Sequence, residues 1–191
     1  LVFFESVEYF LSLSKVSASL SIKSPNTARE YLKYLENSFL LFTLNRFSYK
    51  VREQLSTFRK VYVADNGIIK ALSLGAAQDK GKVLENLVAI ELKRRSAGGD
   101  SSFFYWDNGR SECDFVAREG RRFRLACQVC YELNLDNRQR ETNGLVGACK
   151  ELGLREGLLL TMDQEESFSA QGIRIAVKPV WKWLLESAAA A

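Results

Sequence analysis

Histidine is absent from the 191 residues, and there are only two prolines and one methionine. Without histidine, a histidine general base and most catalytic zinc sites are excluded. No apolar run reaches the roughly 18 residues that a membrane span needs, and the apolar start lacks the basic flank and cleavage site of a signal peptide. With 47% apolar and 26% charged residues, the composition predicts a soluble globular protein of one or two domains.

The few cysteines include a pair, Cys127 and Cys130, with the C-x-x-C spacing of zinc and redox sites. They stand in an apolar, β-rich run, where positions i and i+3 of a strand point to opposite faces. We therefore expect reduced core cysteines in a cytoplasmic protein rather than a metal site.

The net charge of +4 is concentrated in the first third of the chain. Residues 1–64 contain nine Lys or Arg and five Asp or Glu, whereas residues 65–191 contain eighteen of each. A basic surplus confined to one region favours contact of that region with nucleic acid.

The first third has the pattern of a winged helix-turn-helix. The predicted elements are helices over residues 2–13, 14–22 and 26–37 and strands over residues 39–44 and 60–64. Ser24 is a helix-capping residue, and Pro25 suits the first helical position that follows it. In the third helix, an apolar stripe is predicted at four positions: Ala28, Tyr31, Leu32 and Leu35.

In a winged helix-turn-helix, the third helix enters the major groove and the basic residues of the strand pair contact phosphate. The predicted DNA-binding residues on the helix are Asn26, Arg29 and Lys33. Those on or between the strands are Arg46, Lys50 and Arg52. The alternative is that this module only packs between domains and does not bind DNA.

The rest of the chain alternates between helices and strands. The predicted elements are helices over residues 67–74, 82–95 and 138–152, strands over residues 103–106, 112–118, 122–132, 156–161 and 173–177, and a last helix after Pro179. The order α-β-β-β-α-β predicts a mixed sheet with helices on both faces. We therefore expect an α/β protein with domains at residues 1–66 and 67–191.

Three polar residues interrupt apolar surroundings in this second region: Glu85, Asp114 and Gln128. A carboxylate within an apolar strand costs several kcal/mol unless it is paired or binds a metal ion. Two carboxylates and an amide oxygen could together bind Mg²⁺, which activates water for attack on a phosphodiester.

Several segments resemble known motifs. They are residues 26–36, 61–67, 81–88, 111–116, 128–131 and 179–185. Residues 81–88, 111–116 and 128–131 resemble the motifs of the PD-(D/E)XK nuclease superfamily, which has a restriction-endonuclease-like fold. Together, the segments resemble the C-terminal region of archaeal and bacterial AAA-type P-loop ATPases, and this resemblance covers nearly the whole chain.

The resemblance assigns Glu85 and Asp114 to the catalytic carboxylates of the nuclease motif. Gln128 stands where the superfamily has Asp or Glu, and Cys130 stands where it has Lys. A thiol cannot replace the ammonium group that positions the attacking water. Lys82 and Lys93, on the same predicted helix as Glu85, are candidates to supply the missing ammonium group from a different position in the chain.

Three functions follow from the resemblance. The first is the C-terminal part of a DNA-associated ATPase, with a nuclease-like core that binds DNA or a partner without cutting. The second is an active Mg²⁺-dependent DNA nuclease, and the third is a protein-interaction module. The ATPase motif G-x-x-x-x-G-K-S/T is absent, and the chain has no initiator methionine. We therefore expect that an ATPase domain precedes these residues in a longer protein and is their partner. No ATP site is expected within the 191 residues. The expectation is compatible with an oligomer.

Overall fold

The computed structural model describes residues 10–11, 17–18, 21–22, 24–56, 59–72, 79–97 and 99–188. The chain divides into two compact units, Leu1–Asp79 and Lys80–Ala191. We call the first the N-terminal unit and the second the sheet unit. The domain boundary after residue 66 stays a prediction.

The N-terminal unit contains a small antiparallel sheet with β3 at its centre. Its elements are β1 (Phe10–Leu11), α1 (Pro25–Asn37), β2 (Leu41–Leu44), α2 (Val51–Ser56), β3 (Arg59–Val63) and α3 (Asn66–Leu72). The strand order is β1-β3-β2, and β1 and β2 both run antiparallel to β3. The two predicted strands are therefore present, and α2 lies between them where no helix was predicted.

Helix α1 begins as the sequence predicts. The Ser24 hydroxyl accepts a hydrogen bond from the Thr27 backbone N–H at 3.3 Å, and Pro25 is the first helical residue. This cap satisfies one of the amides that a helix start leaves without an intrahelical partner. The helix ends where the Ser38 N–H donates to the Tyr34 carbonyl.

The buried side of α1 is narrower than the predicted stripe. Ala28 and Leu32 are buried, and Leu32 packs with Leu41 of β2 and Val61 of β3. Tyr31 is 48% exposed, so its assignment to the buried stripe is wrong. Its position lies at the edge of the stripe, where the small sheet does not cover it.

The first two predicted helices are corrected in part. Phe10 and Leu11 form β1 and pair with β3, so the helix predicted over residues 2–13 is wrong at these positions. Ser17 and Ala18 are helical, but Ser21 has φ +53° in a turn. The helix predicted over residues 14–22 therefore ends before Ser21. The remaining residues of both predicted helices lie outside the described residues.

The sheet unit is built on a six-stranded mixed sheet. Its elements are α4 (Lys80–Ser96), β4 (Ser101–Asp107), β5 (Glu112–Glu119), β6 (Arg122–Val129), α5 (Arg138–Leu152), β7 (Glu156–Thr161), β8 (Glu166–Ala170), β9 (Ile173–Pro179) and α6 (Val180–Ala188). The strand order is β4-β5-β6-β7-β9-β8, with β6, β7 and β9 parallel and the outer pairings antiparallel. The prediction of an α/β fold with a mixed sheet flanked by helices is confirmed.

Helix α5 connects β6 to the parallel strand β7 and packs against β5, β6 and β7. It has the predicted bounds, and Gly153 ends it in the left-handed conformation at φ +71°. A close approach of α5 to β5 requires Gly144, because a Cβ atom there would lie 1.7 Å from the Glu112 carbonyl oxygen. This approach places the first turn of α5 beside the end of β6.

Strand β8 was not predicted, and β6 is shorter than predicted. β8 lies at the sheet edge and is mostly exposed, so it lacks a clear apolar pattern. It joins β9 through Gln171 and Gly172, both with positive φ, as in a type I′ hairpin turn. β6 ends at Val129 rather than at residue 132, although Cys130 and Tyr131 keep backbone hydrogen bonds to Leu160 and Met162. At Leu133 the backbone N–H and C=O bind the Gln164 side chain.

Helices α4 and α6 contact each other through a cation–π pair. The Arg95 guanidinium lies 3.9 Å from the ring centroid of Trp183, and Glu91 also accepts a hydrogen bond from Arg95. The Arg94 and Arg95 side chains both bind Glu91, and hydrogen bonding by Arg94 is the main cause that lowers the pKa of Glu91 to about 2.

Within the described ranges, no helix has the length and apolarity that crossing a membrane requires.

Candidate functional site

The β5–β6 strand pair separates at the end that carries Asp114 and Gln128. Regular pairing begins at Phe115 and Cys127 and continues away from this end. Beyond it, side chains take over the hydrogen bonds: the Gln128 Oε1 accepts from the Asp114 N–H at 3.2 Å, and the Asp114 Oδ2 accepts from the Val129 N–H at 2.9 Å. Two of the three predicted site residues therefore meet where the strands diverge.

Glu141, in the first turn of α5, extends this hydrogen-bonded group. Gln128 Nε2 donates to Glu141 Oε2 at 2.9 Å, and Arg140 donates to Glu141 Oε1 through Nη2 at 2.6 Å and Nε at 3.1 Å. Asp114, Gln128 and Glu141 are buried, whereas the Arg140 side chain is 79% exposed. We call Asp114, Gln128, Arg140 and Glu141 the polar cluster.

Glu85 is the third predicted site residue, and it is buried on α4. Burial raises the pKa of Cys127 well above its usual range, and the charges of Cys113, Asp114 and Glu85 add to the effect. The two carboxylates therefore lie within electrostatic reach of one buried thiol.

The polar cluster does not have the contacts of a metal site. The Gln128 oxygen, which a metal ion would need, is hydrogen-bonded to a backbone N–H. In the part of the chain that the structure describes, no group of three or more Cys, Asp or Glu side chains could hold a metal ion. Coordination of Mg²⁺ by Glu85, Asp114 and Gln128 stays a prediction.

Cys130, predicted to stand where a nuclease would have its lysine, is neutral at neutral pH. Burial, followed by the charges of Glu141 and Asp114, raises the pKa of the thiol to about 12. Cys113, Cys127, Cys130 and Cys149 are all free and buried. The described cysteines therefore agree with reduced core thiols, and Cys130 brings no positive charge to the polar cluster.

The two alternative lysines, Lys82 and Lys93, are exposed on α4, whereas Glu85 on the same helix is buried. The polar cluster contains a cation of its own, Arg140, which is bound to Glu141 and lowers the pKa of Cys130 against the larger effect of burial.

Sequence reasoning missed Arg140 and Glu141. The signal for Glu141 was present: it lies four residues before Leu145 and eight before Cys149, on the buried side of α5. A carboxylate in such a stripe needs a partner. The partner, Gln128, was already a candidate, but the spacing within α5 does not indicate which strand the helix packs against.

The predicted DNA-binding residues are mostly exposed. Asn26, Arg29 and Lys33 are exposed on α1. Of the others, Arg52 is exposed, Lys50 is exposed and bound to Glu53 at 3.0 Å, and Arg46 is half-buried. The α1 face also carries the exposed Glu30 and the largely exposed Tyr34.

The fold and the polar cluster define a class: an α/β protein whose mixed sheet has a polar group at the divergent end of two central strands. The chain belongs to the family described as domain of unknown function DUF4143, which matches residues 80–183. Domains of this family typically occur with AAA ATPase-like proteins. A second family, domain of unknown function DUF8612, matches residues 6–80.

Two curated relatives extend over nearly the whole chain. An uncharacterised protein of Methanocaldococcus jannaschii is 34% identical over 185 residues, which cover 92% of this chain and 41% of the relative. An uncharacterised protein of Haemophilus influenzae is 28% identical over 189 residues, which cover 95% of this chain and 44% of the relative. The chain thus spans about two fifths of the length of these relatives. No solved structure matches it.

Proposed function

We propose that this chain is the C-terminal part of a DNA-associated P-loop ATPase, with a winged-helix module followed by a nuclease-like core that does not cut DNA. The family's association with AAA ATPase-like proteins supports the first part of this proposal. The greater length of both relatives leaves room for an ATPase domain outside this chain. ATP hydrolysis is proposed for the whole protein and not for the 191 residues.

The topology of the N-terminal unit supports a winged-helix module. In a winged helix, a short first strand joins the edge of a hairpin whose two strands follow the third helix. Here β1 lies beside β3, α1 precedes β2, and the strand order is β1-β3-β2. The segment of residues 45–58 between β2 and β3 corresponds to the wing and contains α2.

The observation that carries the DNA-binding proposal is the exposed polar face of α1. Asn26, Arg29 and Lys33 lie three or four residues apart, so they share one side of the helix. On the same helix, Ala28 and Leu32 are buried, and Leu32 packs against the small sheet. Such a face can enter a DNA groove without disturbing the core of the unit.

The order of elements in the sheet unit supports a nuclease-like core. From α4 to β7 the chain runs α-β-β-β-α-β, and the polar cluster lies where β5 and β6 diverge. The neutral thiol of Cys130 and the amide of Gln128 argue against cleavage, because neither supplies the ammonium or the carboxylate that the chemistry needs. Free thiols also support a reducing, cytoplasmic location.

DNA binding is tested on the full chain by fluorescence anisotropy with a labelled duplex at several salt concentrations. The variant Arg29→Ala/Lys33→Ala should bind about tenfold more weakly and lower the slope of log affinity against log salt by about 2. A matched control is Lys70→Ala/Arg121→Ala, which removes two other exposed charges. Its affinity for the duplex should fall clearly less than that of Arg29→Ala/Lys33→Ala.

Failure of the wild type to bind any duplex would overturn the DNA-binding proposal and favour the protein-interaction module. Equal losses in the two double variants would show that net charge, and not the α1 face, determines binding. Either result is independent of whether the sheet unit cleaves DNA.

Cleavage is tested by incubating the full chain with supercoiled, linear and branched DNA in Mg²⁺ or Mn²⁺. We expect no products. Cleavage that disappears in both Asp114→Ala and Glu85→Ala would overturn the non-cutting proposal and establish the Mg²⁺-dependent nuclease. The observation that favours this second function is the burial of both carboxylates, because a buried carboxylate needs a partner or a metal ion.

A further inference from the structure

Gln128 uses the two ends of its amide in opposite ways. Its oxygen accepts from the Asp114 N–H at 3.2 Å, and its NH₂ group donates to the Glu141 carboxylate at 2.9 Å. The partners fix the orientation of the amide, because a backbone N–H needs an acceptor and a carboxylate needs a donor. An ionised Glu in place of Gln128 could make the first contact but not the second.

The remaining oxygen of Glu141 is bound by Arg140. Both Arg140 Nε and Nη2 donate to Oε1, so each carboxylate oxygen of Glu141 has a donor. The Glu141 side chain is only 6% exposed, and a buried carboxylate is strongly destabilising unless it is paired. The buried charge of Glu141 is therefore compensated by a guanidinium group from the same helix.

We propose that Gln128 makes this site independent of metal ions, with its amide joining α5 to the β5 backbone and Arg140 supplying the positive charge that a cation would otherwise supply. The inference rests on the proposed non-cutting core and explains how that core remains stable without a metal ion. Gln128 is thus a positioning residue: it holds Glu141 and does not itself act on a substrate.

The inference predicts the effect of a single change. Gln128→Glu places a second carboxylate about 3 Å from Glu141 and close to Asp114, and it removes the donor from Glu141. Repulsion should destabilise the fold. The new set of carboxylate oxygens is also of the kind that Mg²⁺ and Mn²⁺ prefer, so these ions should restore part of the lost stability.

The test is the thermal unfolding of the full chain, followed by tryptophan fluorescence, in EDTA, Mg²⁺ or Mn²⁺. The Tm of the wild type should be the same in all three within error. In EDTA, Gln128→Glu should have a Tm lower by about 5 °C or more, and Mn²⁺ should raise it by about 3–6 °C. Gln128→Leu, the matched control, should lose stability in EDTA without recovery in either ion.

A second variant applies if Gln128→Glu does not fold. Gln128→Glu/Glu141→Gln exchanges donor and acceptor, since an amide at position 141 can donate to the new carboxylate. It should fold and, in EDTA, have a higher Tm than Gln128→Glu. If it also fails to fold, the exchange argument is overturned.

Stabilisation of the wild type by Mg²⁺ or Mn²⁺ would overturn the inference, as would a Gln128→Glu protein whose stability is unaffected by the ions. These results are distinguishable from failure of the proposed function, which is measured by DNA binding and cleavage. If the Tm of the wild type does not respond to metal ions and the wild type does not bind DNA, the proposed function is overturned and the inference stands.

Discussion

Helix α1 and the polar cluster differ in the solvent exposure of their polar side chains. On α1, Arg29 and Lys33 are exposed, whereas Ala28 and Leu32 are buried. In the polar cluster, Gln128 and Glu141 are buried and bound at both ends by other groups of the protein.

The difference indicates which region can meet an external ligand. An exposed cation exchanges water for phosphate at little cost, whereas a buried group must first give up hydrogen bonds that the fold has already formed. We therefore expect changes on α1 to alter binding with little effect on stability. Changes in the polar cluster should alter stability first.

The largest effect is expected from Gly144→Ala, which separates α5 from β5. The new Cβ would lie 1.7 Å from the Glu112 carbonyl oxygen, a backbone atom that cannot move alone. We expect a loss of about 3 kcal/mol or more in the free energy of unfolding. All three tryptophans, at positions 106, 181 and 183, lie in the sheet unit, so tryptophan fluorescence during urea denaturation measures it.

The matched control is Gly99→Ala, because a Cβ atom there would meet nothing within 4 Å. Its unfolding midpoint should stay close to that of the wild type. A stable Gly144→Ala protein would mean that α5 does not depend on close contact with β5, and the position of Glu141 would then need another explanation.

A smaller effect is expected from Glu141→Ala. The change leaves the Gln128 NH₂ group buried without its acceptor, which should cost about 1–3 kcal/mol. Glu30→Ala on α1 removes an exposed carboxylate and should stay within about 0.5 kcal/mol. Urea denaturation with circular dichroism compares the two, and equal losses would contradict the distinction between the buried and the exposed region.

The smallest effect, and a gain in stability, is expected at the end of α1. Phe39 has φ +57°, a conformation that costs a residue with a side chain about 1 kcal/mol, and it is 85% exposed. Phe39→Gly should therefore stabilise the N-terminal unit by up to about 1 kcal/mol, whereas Phe39→Ala should not. Hydrogen exchange of the α1 amides checks this, since faster exchange in Phe39→Gly would mean that the ring contributes packing.

Much of the fold was predictable because its signals are local. The bounds of α5 and β7 agree with the sequence, since Gly153 and the apolar run before Thr161 mark them directly. The start of α1 was predictable from Ser24 and Pro25 for the same reason. β1 and β8 were missed because short or exposed strands have no periodic pattern, and only their pairing with β3 and β9 makes them strands.

The sequence by itself determined that Asp114 and Gln128 interrupt apolar strands and that Cys130, two residues after Gln128, is a thiol. Only the tertiary structure decided that Gln128 meets Glu141 and that Arg140 neutralises it. Patterns along a chain report which side of an element is buried, within a few residues. The partner across that buried surface depends on how α5 crosses the sheet, which includes its close approach to β5 at Gly144, one turn after Glu141.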